Sequence, residues 1–135
     1  MIVDYGYYSG TFAGDLVPAN KFRRNSIKAQ QMVMIYILGK NYNEYKEEVK
    51  NTICEVAEIY YNQELKKEKI KNIFVGDSKI ITSETVGKHS ISYSGISIEE
   101  LKKTSSDEFV NSEIKDVVER NLLLTGLLNR AVSNV

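Results

Sequence analysis

Residues 44–67, EYKEEVKNTICEVAEIYYNQELKK, form the longest uninterrupted helical pattern in the chain. Apolar side chains recur there at the three- and four-residue steps that place them on one face of a helix, namely Val49, Ile53, Val56, Ala57 and Tyr60. Most polar side chains occupy the other side: Glu47, Lys50, Glu55, Glu58 and Gln63. Asn41, with Glu44 three residues later, is typical of a helix start. The stretch therefore predicts a central amphipathic helix whose apolar face the other elements cover.

A first helix is predicted over residues 18–38. Pro18 is placed in the first turn, where its missing N–H costs nothing, and Gly39 follows the last turn as a stop. One apolar stripe comprises Phe22, Ala29, Val33, Tyr36 and Ile37, and a second set lies off it, Ile27, Met34 and Leu38. Two apolar sides indicate two packing surfaces, one of them on another chain. The short connection to the central helix predicts that these two helices pack antiparallel.

A third helix is predicted over residues 106–124. Ser105 and Glu108 have the spacing of a capping box, and Thr125-Gly126 ends the pattern. Its apolar stripe is Val110, Ile114, Val117 and Val118, extended by residues 122–124. The polar segment before it is expected to hold one helical turn around residues 98–101.

Residues 79–94 differ in kind, because apolar and serine side chains alternate from His89 to Ser94. A period of two is typical of a strand, so we expect a β-hairpin with Gly87-Lys88 at its turn. An isolated hairpin is marginal in water, which favours pairing with the helices or with another subunit. The basic stretch before it, residues 66–77, is interpreted as a loop.

Two arms complete the predicted architecture. Residues 1–17 are rich in Tyr and Gly, and this arm either packs over its own helices or contacts a neighbouring subunit. Residues 125–135 are apolar although terminal, so they either dock on their own helices or insert into a partner. The predicted fold is mainly α: a small antiparallel helical bundle of three main helices with one β-hairpin and extended N- and C-terminal arms.

Length and charge limit the function classes. A chain of 135 residues is expected to form a single domain, 1–135. Its 18 basic and 18 acidic residues give a formal net charge of zero, without the basic excess typical of a free-standing nucleic-acid-binding domain. No apolar run approaches the roughly 20 residues that span a bilayer, and the N-terminus lacks the features of a secretory signal. We therefore expect a protein made and kept in a cytoplasm, with no membrane partner.

No motif points to catalysis, a metal or a cofactor. Cys54 lies in the central helix, where a buried small hydrophobe is favoured over a reactive thiol. His89 is the only histidine, so a histidine-based metal cluster is excluded, and a structural or interfacial role is favoured. The Gly87-Lys88 pair lacks the flanking residues of a phosphate-binding loop. The sequence therefore predicts no enzyme activity and no cofactor.

Three segments, taken in order, resemble the head–tail connector (adaptor) proteins of tailed bacteriophages and prophages. The first is the Tyr/Gly arm that leads through Val17-Pro18 into a helix. The second is VKNTICEVAE, residues 49–58, similar to that family's V-x-x-A-[VI]-C-E-x-A-E helix. The third is residues 81–93 together with TGLLNRAV, residues 125–132, where the family tail reads T-G-L-L-Y-R-G.

The resemblance implies a structural virion protein. Such a protein forms a homo-oligomeric ring beneath the capsid portal, of the portal's twelve-fold symmetry, in the neck of the virion, after a stay in the bacterial host cytoplasm. The ring extends the DNA channel, through which DNA passes without sequence-specific binding, and presents a surface to a tail terminator or a head-completion (stopper) protein. Portal contacts are then expected at Leu124, Leu127, Leu128, Arg130 and Val132, and ring contacts at Val86, His89, Ile91, Tyr93, Tyr7 and Tyr8.

The alternative is a small helical regulatory module of phage origin that binds nucleic acid or protein. The cluster of lysines at residues 66–71 is the feature that favours it.

Overall fold

The computed structural model describes residues 2–76 and 98–128, and their side chains except those of residues 73–76. This part of the chain is mainly helical, as predicted, and contains no strand. The predicted β-hairpin, 79–94, lies outside the described residues. The elements in chain order are a π-helical turn Tyr7–Thr11, α1 Ala19–Ile37, a 3-10 turn Asn43–Tyr45, α2 Lys46–Gly76, α3 Ile98–Thr104, α4 Asp107–Leu122 and a 3-10 turn Leu123–Thr125.

The chain separates into two compact units. The first comprises Met1–Tyr61 and Ser112–Val135, and the second comprises Asn62–Asn111. Helices α2 and α4 each contribute residues to both units. Whether residues 1–135 form one domain, as predicted, is not tested by this division and stays a prediction.

Helix α1 has the predicted extent, but its ends differ in detail. Pro18 precedes the helix as an extended cap (φ −70°, ψ 157°) instead of forming its first turn. At the other end Leu38 already has left-handed backbone (φ 56°), as does Gly39 (φ 68°). The Leu38 N–H donates to the carbonyl of Ile35 and the Gly39 N–H to that of Met34, each at 3.2 Å. These two bonds satisfy the last carbonyls, so α1 ends one residue before the predicted stop.

Helix α2 is longer and starts later than predicted. Its α-helical part begins at Lys46, because the side chain of Asn41 accepts the N–H of Asn43 (2.9 Å) in a turn rather than capping a helix. It continues to Gly76, so the prediction of a loop over residues 66–77 is wrong for residues 66–76. Good helix formers dominate that stretch, and its polar character misled the prediction.

The predicted apolar face of α2 is the core of the first unit. Val49, Ile53, Val56 and Ala57 are fully buried, and Tyr60 is 8% exposed. The other segments of this unit also contribute buried apolar side chains, namely Val3, Tyr8, Val17, Phe22, Ala29, Val33, Ile37, Ile114, Val118, Leu122 and Leu127. Full burial of a Val, Ile or Phe side chain contributes about 1.5–3 kcal/mol, so this core is the main source of stability.

In the second unit, Gln63 joins three elements. The prediction placed Gln63 on the polar side of α2, but it is only 7% exposed. Its Nε2 donates to the carbonyl of Ser105 (2.9 Å) and to Oδ1 of Asp107 (2.8 Å). The turn between α3 and α4 is therefore fixed to α2 by one buried amide. Helix α3, Ile98–Thr104, confirms the predicted helical turn around residues 98–101, and its Leu101 is buried (2% exposed).

The cap of α4 is Ser106, not Ser105. The Ser106 Oγ accepts the N–H of Phe109 at 3.1 Å, which is the N-cap arrangement. Ser105 is buried, and its Oγ donates to the carbonyl of Lys102. The predicted Ser105–Glu108 capping box is thus wrong by one position, although the helix itself is confirmed.

Candidate functional site

The N-terminal segment is held to the first unit by Tyr8. The ring of Tyr8 stacks on Phe22 (centroids 4.8 Å apart) and Phe12 (5.7 Å). Its hydroxyl donates to Oε2 of Glu58 (2.8 Å) and accepts the N–H groups of Leu16 (3.1 Å) and Val17 (2.9 Å). Burial, together with the Glu58 carboxylate, raises the pKa of Tyr8 to about 12.

The position of Tyr8 bears on the two alternatives for residues 1–17, which were packing over their own helices and contact with a neighbouring subunit. Tyr8 is fully buried among residues of its own chain, so packing over its own helices is confirmed for this side chain. Gly14 takes part, because a Cβ there would overlap the Tyr8 ring. The ring-contact prediction for Tyr8 stays a prediction, but Tyr8 offers no exposed surface in this conformation.

Tyr7 is half-buried and lies on α2. Its hydroxyl donates to Oδ1 of Asn51 (2.9 Å), and Lys50 Nζ lies 5.0 Å from the centre of its ring. Desolvation, followed by the charge of Glu47, raises its pKa. Part of the ring remains accessible, which leaves the predicted ring contact open to it.

Cys54 behaves as the predicted small hydrophobe. It is fully buried, and burial followed by the charges of Glu58 and Glu55 raises its pKa to about 12. Because the thiolate is the reactive species, a thiol held neutral in this way is inert at ordinary pH.

The end of α4 exposes two leucines. Leu123 is 64% exposed and Leu124 98% exposed, whereas Leu122 is fully buried. The Thr125 hydroxyl donates to the carbonyl of Leu122 (2.6 Å) and accepts the N–H of Leu127 (3.0 Å), and Gly126 adopts φ 82°. This tight turn brings Leu127 back onto its own chain, where it is 5% exposed.

The predicted portal contacts therefore differ in their exposure. Leu124 is an open apolar side chain, Leu127 is buried and Leu128 is half-buried. Arg130 and Val132 lie outside the described residues, as do the predicted ring contacts Val86, His89, Ile91 and Tyr93.

A second apolar surface lies on α1, opposite its buried stripe. Ile27 is 38% exposed, Ile35 63% and Leu38 51%. The sequence pattern had placed Ile27, Met34 and Leu38 off the main stripe. That expectation is confirmed for Ile27 and Leu38, whereas Met34 is half-buried. The exposure of Ile35 was not predicted from the sequence. The signal was present, because residues 33–38 are all apolar and cannot all lie on one face of a helix.

A shallow groove of about 480 Å³ lies between the N-terminal segment and α1. Phe22, Tyr5 and Ile27 supply apolar lining, and Asp4 and Arg23 supply charges.

Two further findings concern chemistry in residues 2–76 and 98–128. No group of three or more His, Cys, Asp or Glu side chains is placed to hold a metal ion within these ranges. Among the helices that are described, none combines the length and apolar character needed to cross a bilayer.

Comparison of the chain with protein-family models, with curated proteins and with solved structures finds no match in any of the three.

Proposed function

We propose that this chain is a structural adaptor of the head–tail connector kind, which joins the portal of a tailed bacteriophage or prophage to the tail or to the next completion protein. The observation that carries the proposal is the 98% exposure of Leu124 in a chain that has a well-filled core. Burying such a side chain is worth about 1.5–3 kcal/mol, and a contact with another subunit would supply that gain.

The second apolar surface supports assembly of several copies. Ile27, Ile35 and Leu38 lie on the side of α1 that faces away from the core. An adaptor in a closed ring needs two contact surfaces for its neighbours and a further surface for its docking partner. The α1 surface and the α4 end supply separate candidates for these roles.

The roles proposed for each segment are those that the resemblance implies. Residues 124–135 face the portal, with Leu124 as the leading apolar contact and Arg130 and Val132 beyond it. The outer side of α1, the segment 80–93 and the exposed part of Tyr7 make ring contacts. The ring matches the portal's twelve-fold symmetry and lets DNA pass without sequence-specific binding. A tail terminator or stopper protein docks on its other side.

Leu124 is the position at which a substitution tests the portal contact. Alanine at Leu127 would remove a buried side chain and so weaken the fold as well as any docking. Leu124→Ser removes exposed apolar surface alone. Leu16→Ser is the matched control, since Leu16 is also exposed (39%) but lies on the N-terminal segment.

The experiment mixes the full chain with the portal protein of the same phage or prophage and examines the complex by electron microscopy. The proposal predicts a ring of this chain on the portal, retained by Leu16→Ser and lost or strongly reduced in Leu124→Ser. Absence of any complex with the unaltered chain contradicts the proposal.

One observation favours the alternative, a nucleic-acid-binding module. The lysines of residues 66–71 lie on a helix, and Lys67, Lys69 and Lys71 are exposed. However, Lys67 lies 3.7 Å from Asp107, and Glu68 adds a negative charge nearby. A mobility-shift assay with double-stranded DNA at moderate salt separates the two functions, because only the module predicts a shift that Lys69→Glu abolishes.

A further inference from the structure

Helix α1 exposes a face that is basic at its start and apolar at its end. This basic–apolar face consists of Arg24, Lys28, Gln31 and Ile35, all exposed. The whole of α1 contains four basic residues and no acidic one. Its spacing of four, three and four residues keeps the four side chains on one line along the helix.

Helix α4 and the turn after it expose a face of opposite charge and the same spacing. This acidic–apolar face consists of Ser112, Asp116, Glu119 and Leu123, all exposed, with Glu113 beside Ser112. Helix α4 carries five acidic residues against two basic ones. Again the steps are four, three and four residues, and the charged part precedes the apolar part.

We propose that the basic–apolar face of one copy packs in parallel against the acidic–apolar face of the next copy. This inference rests on the proposed ring and names the two faces that build it. In the shared register Lys28 meets Asp116, Gln31 meets Glu119 and Ile35 meets Leu123. The Lys28 Nζ lies 4.4 Å from the centre of the Tyr60 ring of its own chain, so it would face both that ring and Asp116 of the next copy.

The parallel direction brings the apolar ends of the two faces together. An antiparallel pair would still set Lys28 opposite Glu119, but it would place Ile35 opposite Ser112 and Glu113 and Leu123 opposite Arg24, so that neither apolar side chain would cover the other. Aligned in parallel, the charges pair and the apolar side chains cover each other over about 16 Å of helix. A pair of α1 helices from two copies is disfavoured, since both are basic.

The contact joins two different faces, so it leaves one free face of each kind on every dimer. Such a heterologous contact repeats from copy to copy and gives a ring where the rotation between copies closes, and an open filament where it does not. The proposed adaptor requires the closed form, and both faces lie within the first unit of the chain.

A charge exchange tests the pairing in solution. The full chain at high protein concentration and low salt is studied by native mass spectrometry and sedimentation velocity. Lys28→Glu or Asp116→Lys alone is expected to weaken self-association at least about tenfold, since like charges then oppose each other. The double variant, and an equal mixture of the two single variants, is expected to regain it. Lys103→Glu, on α3, is the matched control and is expected to leave association unchanged.

A disulfide test fixes the register independently of charge. Cys54 is fully buried, so new cysteines at Ile35 and Leu123 would be the accessible thiols among the described residues. Ile35→Cys combined with Leu123→Cys is expected to give a ladder of dimers, trimers and larger species under mild oxidation. A mixture of the two single variants is expected to stop at dimers, and each single variant alone to give none.

The outcomes separate this inference from the adaptor function. A ladder without portal binding supports the α1–α4 contact and contradicts the portal role. A portal-bound ring in which the paired cysteines do not cross-link overturns the contact and leaves the adaptor function standing. Cross-linking of Ile35→Cys with itself overturns the contact in favour of a symmetric dimer. A mobility shift of double-stranded DNA that Lys28→Glu abolishes, with self-association unchanged, overturns it in favour of a nucleic-acid surface.

Discussion

Removing the hydroxyl of Tyr8 tests how the N-terminal segment is held. Tyr8→Phe keeps the ring and its stacking on Phe22 but deletes three hydrogen bonds. These join the hydroxyl to Glu58 (2.8 Å) and to the N–H groups of Leu16 (3.1 Å) and Val17 (2.9 Å).

The expected loss follows from what each partner can do afterwards. The N–H of Val17 is buried, and an unsatisfied buried donor costs about 1–3 kcal/mol. Leu16 is exposed and Glu58 is half-buried, so water can replace the hydrogen bond that each of them loses, at a cost of about 1 kcal/mol for the two together. Tyr8→Phe should therefore lower the free energy of unfolding by about 2–4 kcal/mol, which corresponds to a fall in melting temperature of roughly 10 °C.

Urea unfolding followed by circular dichroism measures this loss. Tyr7→Phe is the matched control, because it deletes a single bond, to Asn51, at a half-buried position. Its expected cost is about 0.5–1.5 kcal/mol. Hydrogen exchange should also quicken at the Leu16 and Val17 amides in Tyr8→Phe, but not in Tyr7→Phe.

The pH dependence of the free energy of unfolding is a second test of the Tyr8 hydroxyl contact. The pKa of Tyr8 is about 12 in the folded chain against an ordinary 10.0, so its neutral form is favoured by folding. That contribution is complete below pH 10 and is lost as the pH rises towards 12. The stability difference between the unaltered chain and Tyr8→Phe should therefore narrow above pH 10. A difference under about 0.5 kcal/mol at neutral pH would refute the role assigned to the hydroxyl.

Three further predictions concern single residues. Leu38→Gly should be more stable than Leu38→Ala by about 0.5–1 kcal/mol in urea unfolding. Both variants lose the leucine side chain, but only Gly adopts the backbone angle φ of 56° without a steric cost. Equal stability of the two variants would exclude backbone strain at this position. Cys54 should react with a thiol reagent at neutral pH only after urea unfolding, since it is fully buried; a fast reaction in the native chain would contradict that burial. Gln63→Ala should lower the free energy of unfolding by about 2–4 kcal/mol, because two hydrogen bonds to the α3–α4 turn are lost. Asn62→Ala, at the exposed neighbouring position, should lower it by less than about 0.5 kcal/mol. Similar losses in the two variants would show that Gln63 does not fix the turn.

The helices could be predicted from the sequence because their periodicity is strong. Val49, Ile53 and Val56 repeat at helical steps, and no competing pattern crosses them. Their burial follows directly from that repeat. Helix ends were less predictable, since they depend on single hydrogen bonds: the choice between Ser105 and Ser106 as the cap is decided by which hydroxyl reaches the N–H of Phe109.

The polar part of the fold could not be predicted in the same way. Gln63 was assigned to solvent because it is polar, although its position three residues after Tyr60 continues the buried stripe of α2. Two acceptors on the α3–α4 turn make its burial favourable. Tyr8 presents a similar case, because its partner Glu58 is fifty residues away in sequence. Such pairs are set by tertiary structure, which local sequence patterns do not encode.

The candidate surfaces were predicted in part. The off-stripe positions Ile27 and Leu38 signalled a second apolar side of α1, and the structure exposes both. The apolar character of the tail signalled a docking segment, but it could not separate Leu124 from Leu127. That separation is made by the Thr125–Gly126 turn, which exposes one leucine and buries the other.

The decisive quantity for the proposed adaptor is the number of copies of this chain bound to one portal. Electron microscopy of the mixed proteins, or native mass spectrometry of the isolated complex, supplies that number. An adaptor of this kind is expected to form a closed ring of twelve copies, attached through the segment that begins at Leu124. A chain that stays monomeric beside the portal, or binds it in a complex that Leu124→Ser does not weaken, would contradict the account.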